Sequence, residues 1–303
     1  LDDSGSEEKF LTILNALTID VEDYFQVNAF ARHVRQDQWG AYPVRVDSNT
    51  GRILDMLDTF SIKATFFILG WAAERLPELV REIHRRGHEV ACHGYGHELV
   101  YSIGPERFRA DIRRSKAFLE DKCGVRVNGY RAPSYSITKK SLWALDILVE
   151  EGFCYDSSIF PVLHDVYGIP GFNRFPHEIQ TQSGTITEFP LSTILLKVGR
   201  WEYRLPIAGG GYLRLLPAPL IGQAIRYINS YERQPAVIYF HPWEIDPHQP
   251  RIKAGLKSRF RHYLNLEKME SKIKYLLRGA KFCAIRDIVG LNSYPSAEQE
   301  IGD

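Results

Sequence analysis

Short apolar runs that never alternate with polar residues recur along this chain, and stretches of helical periodicity separate them. Residues 11–19, 64–69 (ATFFIL) and 89–92 are such runs, with further strand-like pieces at 187–189, 236–240 and 282–285. A strand with one wet face alternates in polarity, so a run that does not alternate belongs in a sheet covered on both sides. Residues 48–60, 77–86, 106–121, 139–150 and 267–277 read as helices. In the first of these Ile53, Leu54, Met56 and Leu57 form the apolar side, and the second has Pro77 near its start and Gly87 past its end. This alternation with short connections predicts a parallel α/β architecture.

One domain is expected over 10–292, between tails at 1–9 and 293–303. Two stretches break the alternation, 195–216 with its Gly209-Gly210-Gly211 run and 243–266. They are expected as insertions on the rim of the domain, where long loops commonly face substrate.

With 44% hydrophobic residues in 303 the chain can build a large core, and a net charge of +1 gives no general pull toward nucleic acid or an anionic membrane. Cys92, Cys123, Cys154 and Cys283 show no C-x-x-C spacing, so free thiols in a reducing compartment are expected rather than a disulfide framework or zinc knuckle. No run is long and apolar enough to span a bilayer, and no secretory signal precedes the first strand. A cytoplasmic location is expected, or a periplasmic one if a leader has been removed upstream.

Five polar constellations sit at ends of apolar runs. Asp20-Val21-Glu22-Asp23 closes the first; Asp20 and Glu22 share a face if the strand continues, and Asp23 joins them only if the chain turns. His93-Gly94-Tyr95-Gly96-His97 closes the third, and its glycines favour a tight turn that gathers two imidazoles. A carboxylate with two histidines leaves coordination positions open, as hydrolytic metals require. Arg131 follows a short strand and precedes the conformationally fixed Pro133. Asp156 lies in Tyr155-Asp156-Ser157-Ser158, and His241 follows Val237-Ile238-Tyr239-Phe240. Each has a plain reading alone: a surface arginine, a turn aspartate, a structural histidine, two polar loop histidines.

In this order the five resemble the polysaccharide deacetylases of carbohydrate esterase family 4, the NodB-homology domain. DVEDYF, RAPSYSI, YDSSIFP and FHPWEID are similar to the subgroup of bacterial exopolysaccharide loci with PEP-CTERM sorting systems. The resemblance implies a distorted (β/α) barrel with fewer than eight regular units and one divalent metal, most often Zn²⁺, with Co²⁺ or Ni²⁺ as alternatives. By the same resemblance Asp20 is the general base and His241 the general acid. His93, His97 and one of Glu22 and Asp23 hold the metal; Arg131 positions the base, and Asp156 supports Arg131. Pro133, Ser134, Tyr135 and Trp243 fall on the oxyanion and substrate side. The chain departs from the family in its first motif, usually two adjacent aspartates, and at Ser134, usually a tyrosine.

The implied activity is hydrolysis of the acetamide of an N-acetylated sugar in a polysaccharide, with release of acetate. Two other readings compete. An amidohydrolase acting on a small cyclic amide or ureide would need a closed pocket, and a silent sugar-binding module would need neither Asp20 nor His241.

Overall fold

The computed structural model describes residues 13–199 and 201–291; the expected tails, and the first two residues of the strand expected at 11–19, lie outside them. Strands and helices alternate as β1 (Asn15–Val21), α1 (Val46–Thr59), β2 (Thr65–Ile68), α2 (Gly70–Arg75), α3 (Pro77–Arg85), β3 (Glu89–Cys92), α4 (Val100–Cys123), β4 (Gly129–Tyr130), α5 (Trp143–Glu150) and β5 (Tyr155–Asp156). There follow β6 (His177–Gln180), β7 (Thr185–Glu188), β8 (Thr193–Val198), β9 (Trp201–Pro206), α6 (Gly211–Leu215) and α7 (Ala218–Tyr227). The chain ends with β10 (Val237–Phe240), α8 (Leu256–Tyr263), α9 (Met269–Gly279), β11 (Phe282–Cys283) and α10 (Ile285–Val289).

The main sheet runs β10-β1-β2-β3-β4-β5-β7-β6, with β11 beside the start of β1. Its pairings are parallel except β6 on β7. The sheet curls into a distorted (β/α) barrel. Irregular chain completes the wall between β7 and β10: the Ile207 amide donates to the Ser192 carbonyl, and Gly209 bridges Tyr239 in parallel.

Strand periodicity divides the core and sets the site. Every residue of β1 is buried. Leu17, Ile19 and Val21 pack outward with Ile53 and Leu57 of α1, whereas Ala16 joins Phe67, Ala91, Tyr155 and Tyr239 in the interior. The inward positions of β1 are therefore Ala16, Thr18 and Asp20. On β3, Ala91 faces inward and Cys92 outward, so His93, one residue beyond, returns to the interior.

Three expectations are corrected, and one helix is added. The stretch 195–216 holds an antiparallel hairpin, β8 on β9, and α6 rather than loop. The stretch 243–266 holds α8 and most of a 3-10 turn at Pro242–Ile245. The helix α7, buried through Ile221, Ala224 and Ile225, was not anticipated because Pro217, Pro219 and Gly222 obscure its pattern. The strand expected at 282–285 stops at Cys283, because the Ile285 amide donates to Thr65 Oγ1 and begins α10. Among the described residues no helix is long and apolar enough to cross a membrane.

Gly209 has no room for a side chain: a Cβ would run into the Tyr239 carbonyl oxygen. Gly209→Ala is expected to part the wall from β10 and lower unfolding free energy by about 3 kcal/mol or more, measurable by urea titration.

Candidate active site

The inward residues at the C-terminal strand ends converge on a cavity of about 530 Å³ that is open on one side. Arg131 is fully buried at the end of β4. Its Nη1 donates to Asp20 Oδ1 and to Thr18 Oγ1, both at 2.7 Å, while Nε and Nη2 donate to the carbonyl and hydroxyl oxygens of Ser157. The second oxygen of Asp20 accepts from the Tyr135 hydroxyl at 3.1 Å. Asp20 is thus held from two sides in one orientation.

Glu22 lies beyond β1, where its amide turns back to the Asp20 carbonyl, and its carboxylate enters the same cavity. Donor atoms of Glu22, His93 and His97 all lie within 4.8 Å of one another. Two observations show that this trio suits a cation. Glu22 Oε2 is 2.6 Å from His97 Nε2, yet it is a buried oxygen with no hydrogen bond of acceptable direction. In addition His93 Nδ1 is 2.8 Å from the Arg131 carbonyl, which fixes the proton on Nδ1 and leaves Nε2 as a free lone pair. Burial pushes His93 down to about 4, so it is neutral at pH 7 as a ligand must be. Burial alone would raise Glu22, but the imidazoles of His97 and His241 outweigh it and hold the carboxyl at about 2.

The turn carrying His93 and His97 is pinned by Asp111 of α4, whose carboxylate accepts from the amides of Tyr95 and Gly96. Gly94 has φ +69°, and a Cβ there would stand 2.8 Å from Asp111 Oδ2.

Asp23 does not reach the centre. Its carboxylate accepts from the backbone amides of Tyr24, Arg45 and Val46 and anchors the start of α1. Of the two carboxylates left open by the sequence, Glu22 is the one grouped with His93 and His97. Asp156 likewise makes no hydrogen bond to Arg131. It accepts from Ser158 Oγ and faces Glu188 across the β5–β7 pairing, and Ser157 takes the guanidinium instead.

His241 ends β10 with Nε2 at 3.4 Å from Glu22 Oε1 and 4.0 Å from Asp20 Oδ2. Its Nδ1 is 3.0 Å from Glu244 Oε2, and Glu244 is itself gripped by Arg214 at 2.7 Å. Burial opposes protonation of His241, but the carboxylates of Glu244 and Glu22 raise it to about 9. Trp243 stacks on the ring and donates from Nε1 to Glu22 Oε1 at 3.3 Å. Ser134 lines the cavity with φ +53°, and its amide has no acceptor among the described residues. The Tyr135 amide is occupied by the Ala132 carbonyl.

Residues 38–148 match the family described as polysaccharide deacetylase, and residues 157–290 match a domain of unknown function, DUF3473. The chain carries a polysaccharide deacetylase domain. Its fold is similar to that of a polysaccharide deacetylase structure from Mycobacterium smegmatis, with TM-score 0.58 and 23% identity over 97% of this chain and 93% of that one. It is similar to the same degree to PuuE allantoinase, with TM-score 0.58 and 14% identity over 93% and 92% of the two chains. A peptidoglycan-N-acetylglucosamine deacetylase of Bacillus cereus is 28% identical over 148 residues, 45% of this chain and 51% of the relative. The chain spans about half or less of the length of the curated relatives it matches most strongly.

Several residues that shape this cavity are not among the candidates named from the sequence: Glu244, Arg214, Thr18, Ser157 and Asp111. Glu244 carried a local signal, being three residues after His241 at the start of a turn. Thr18, two residues before Asp20 on β1, and Ser157, beside Asp156, were within reach of strand periodicity and of the motifs already singled out, whereas Arg214 and Asp111 come from distant helices.

Two outcomes follow from this geometry. Glu22→Gln should lose most divalent-metal affinity while Asp23→Asn retains it, as read by metal content after dialysis; equal retention would refute the trio. Burial raises both members of the Asp156–Glu188 pair, Asp156 to about 6, and the neighbouring Asp156 charge raises Glu188 further; Asp156 Oδ2 and Glu188 Oε2 have no other hydrogen-bond partner among the described residues. The folded chain therefore holds protons that the unfolded chain releases, so this contribution is full below the unfolded carboxylate range, about 4, and is lost as pH rises through 6 and above. Glu188→Gln should flatten the fall in unfolding free energy between about pH 5 and about pH 8.

Proposed function

We propose that this chain is a metal-dependent N-deacetylase that hydrolyses acetamido groups on a bacterial exopolysaccharide and releases acetate. One observation carries the reading: the Glu22, His93 and His97 donors converge beside an oriented Asp20 and a protonated His241 in one open cavity. The donor set of two imidazoles and a carboxylate suits zinc. When bound, the ion would polarise the acetamide carbonyl and acidify the attacking water.

The residues divide the remaining work. Asp20, held by Arg131 and Tyr135, takes a proton from the water as its oxygen bonds to the carbonyl carbon. The free Ser134 amide supplies a donor for the oxyanion. His241, charged by its contact with Glu244, gives a proton to the sugar nitrogen as the C–N bond breaks, so an amine and acetate leave. Ser157, whose hydroxyl donates to the Phe189 carbonyl, supports Arg131 from behind, and Asp156 holds Ser158, which accepts from the Ala132 amide. The free Cys92, Cys123, Cys154 and Cys283 accord with a reducing compartment, and we place the reaction in the cytoplasm. The open cavity favours a polymer over a small cyclic amide.

Asp20→Asn and His241→Ala should each retain metal and lose about 10²–10⁴-fold in kcat for acetate release from chitotetraose. The double variant should lose less than the product of the two. Turnover close to that of the parent in Asp20→Asn, with metal content verified, would remove the proposed base.

A further inference from the structure

The floor of the cavity is acidic and its mouth is basic. Residues 251–265 contain five Lys or Arg and no Asp or Glu, in a chain whose net charge is only +1. Within that stretch α8 places Lys257 and Arg261 four residues apart, and both line the cavity with Phe260 between them. Neither cation has an ion pair or a side-chain hydrogen bond among the described residues, and both are exposed. Arg214, in the same wall, is by contrast fully engaged with Glu244 and the carbonyls of Arg261 and His262. The acid nearest His164 on the rim, Asp165, already pairs with that histidine at 3.0 Å. Phe260 is 63% exposed and lines the cavity beside them, which leaves its ring free to meet a ligand.

We propose that the polymer processed here is anionic: Lys257 and Arg261 bind carboxylate-bearing sugars next to the acetamido sugar, and Phe260 packs on a pyranose face. This rests on the deacetylase reading for the identity of the reacting group, but the charge preference stands on the cavity mouth alone. The guanidinium fork of Arg261 fits a carboxylate in bidentate fashion, and Lys257 adds a mobile point charge one helical turn away. The basic stretch lies wholly within the segment that matches the domain of unknown function, whereas His93, His97 and Arg131 lie within the deacetylase match. That second segment thereby acquires a role as the selector of substrate.

The test compares two N-acetylated tetrasaccharides of similar size, a hyaluronan fragment carrying glucuronate and neutral chitotetraose. Binding to the full chain is measured by calorimetry at about 0.05 M and about 0.3 M salt, with acetate release followed in parallel. The parent should prefer the hyaluronan fragment by at least about tenfold at low salt and lose much of that preference at high salt. K257A/R261A should abolish the preference, and K257R/R261K should restore most of it. Equal affinity for the two sugars in the parent, or a preference that survives K257A/R261A, overturns the proposal. So does binding to phosphatidylglycerol vesicles that needs Lys257 and Arg261 without any hyaluronan preference. Preference without acetate release from either sugar would uphold anionic recognition and sink the deacetylase reading; release from chitotetraose without preference would do the reverse.

Discussion

The buried guanidinium of Arg131 is the interaction on which the site depends. It has no exposed surface, lies 4.1 Å from the centre of the Phe67 ring, and donates to groups from β1 and from the residue after β5. A buried ion pair of this kind contributes little net stability, because desolvation offsets the attraction. What it secures is geometry. The same residue fixes Asp20 with its side chain and the His93 tautomer with its carbonyl, so the proposed base and the metal trio are set relative to each other by one residue. An apolar side chain in its place could preserve the fold, and the backbone carbonyl there could still meet His93, but the hold on Asp20 would be lost.

Much of the order of strands and helices was legible because the parallel sheet is covered on both faces, so its central strands read as mainly apolar runs, while the two-residue β5 and the edge strand β6 gave no such signal. The run at 89–92 coincides with β3, and the helix expected at 77–86 differs from α3 by one residue. Legibility failed where tertiary context decides. The strands β8 and β9 pair with each other outside the main sheet, and α8 carries charges where an amphipathic pattern would show. Of the site, residues at strand ends were visible because strand ends are visible. Glu22 and Asp23 could not be separated by pattern, since the choice is made by where the backbone amides of Arg45 and Val46 arrive, more than twenty residues away.

That choice has an electrostatic logic. Asp23 accepts from the amides of Arg45 and Val46 at the start of α1 and from that of its neighbour Tyr24, although burial still pushes its carboxyl up to about 6. Glu22 has one oxygen approached by the Trp243 indole and the other without a donor. A buried carboxylate with an orphaned oxygen is costly unless a cation neutralises it. The two neighbouring acids are thus distinguished by their partners: Asp23 is held by backbone amides, and Glu22 faces the imidazoles of His97 and His241.

The same reasoning separates the cations around the cavity. Arg131 and Arg214 are buried and engaged, one holding Asp20 and the other holding Glu244 behind His241, so neither has charge to offer a substrate. Arg214 also donates to the carbonyls of Arg261 and His262 and thereby fastens the C-terminal turn of α8 to the cavity wall. The free cations of α8 therefore stand on a helix that is tied, through Arg214 and Glu244, to the proposed general acid. A polymer drawn in by its charge at Lys257 and Arg261 would meet His241 at a separation set by this one chain of buried contacts, which makes the basic mouth and the reacting centre parts of a single rigid wall.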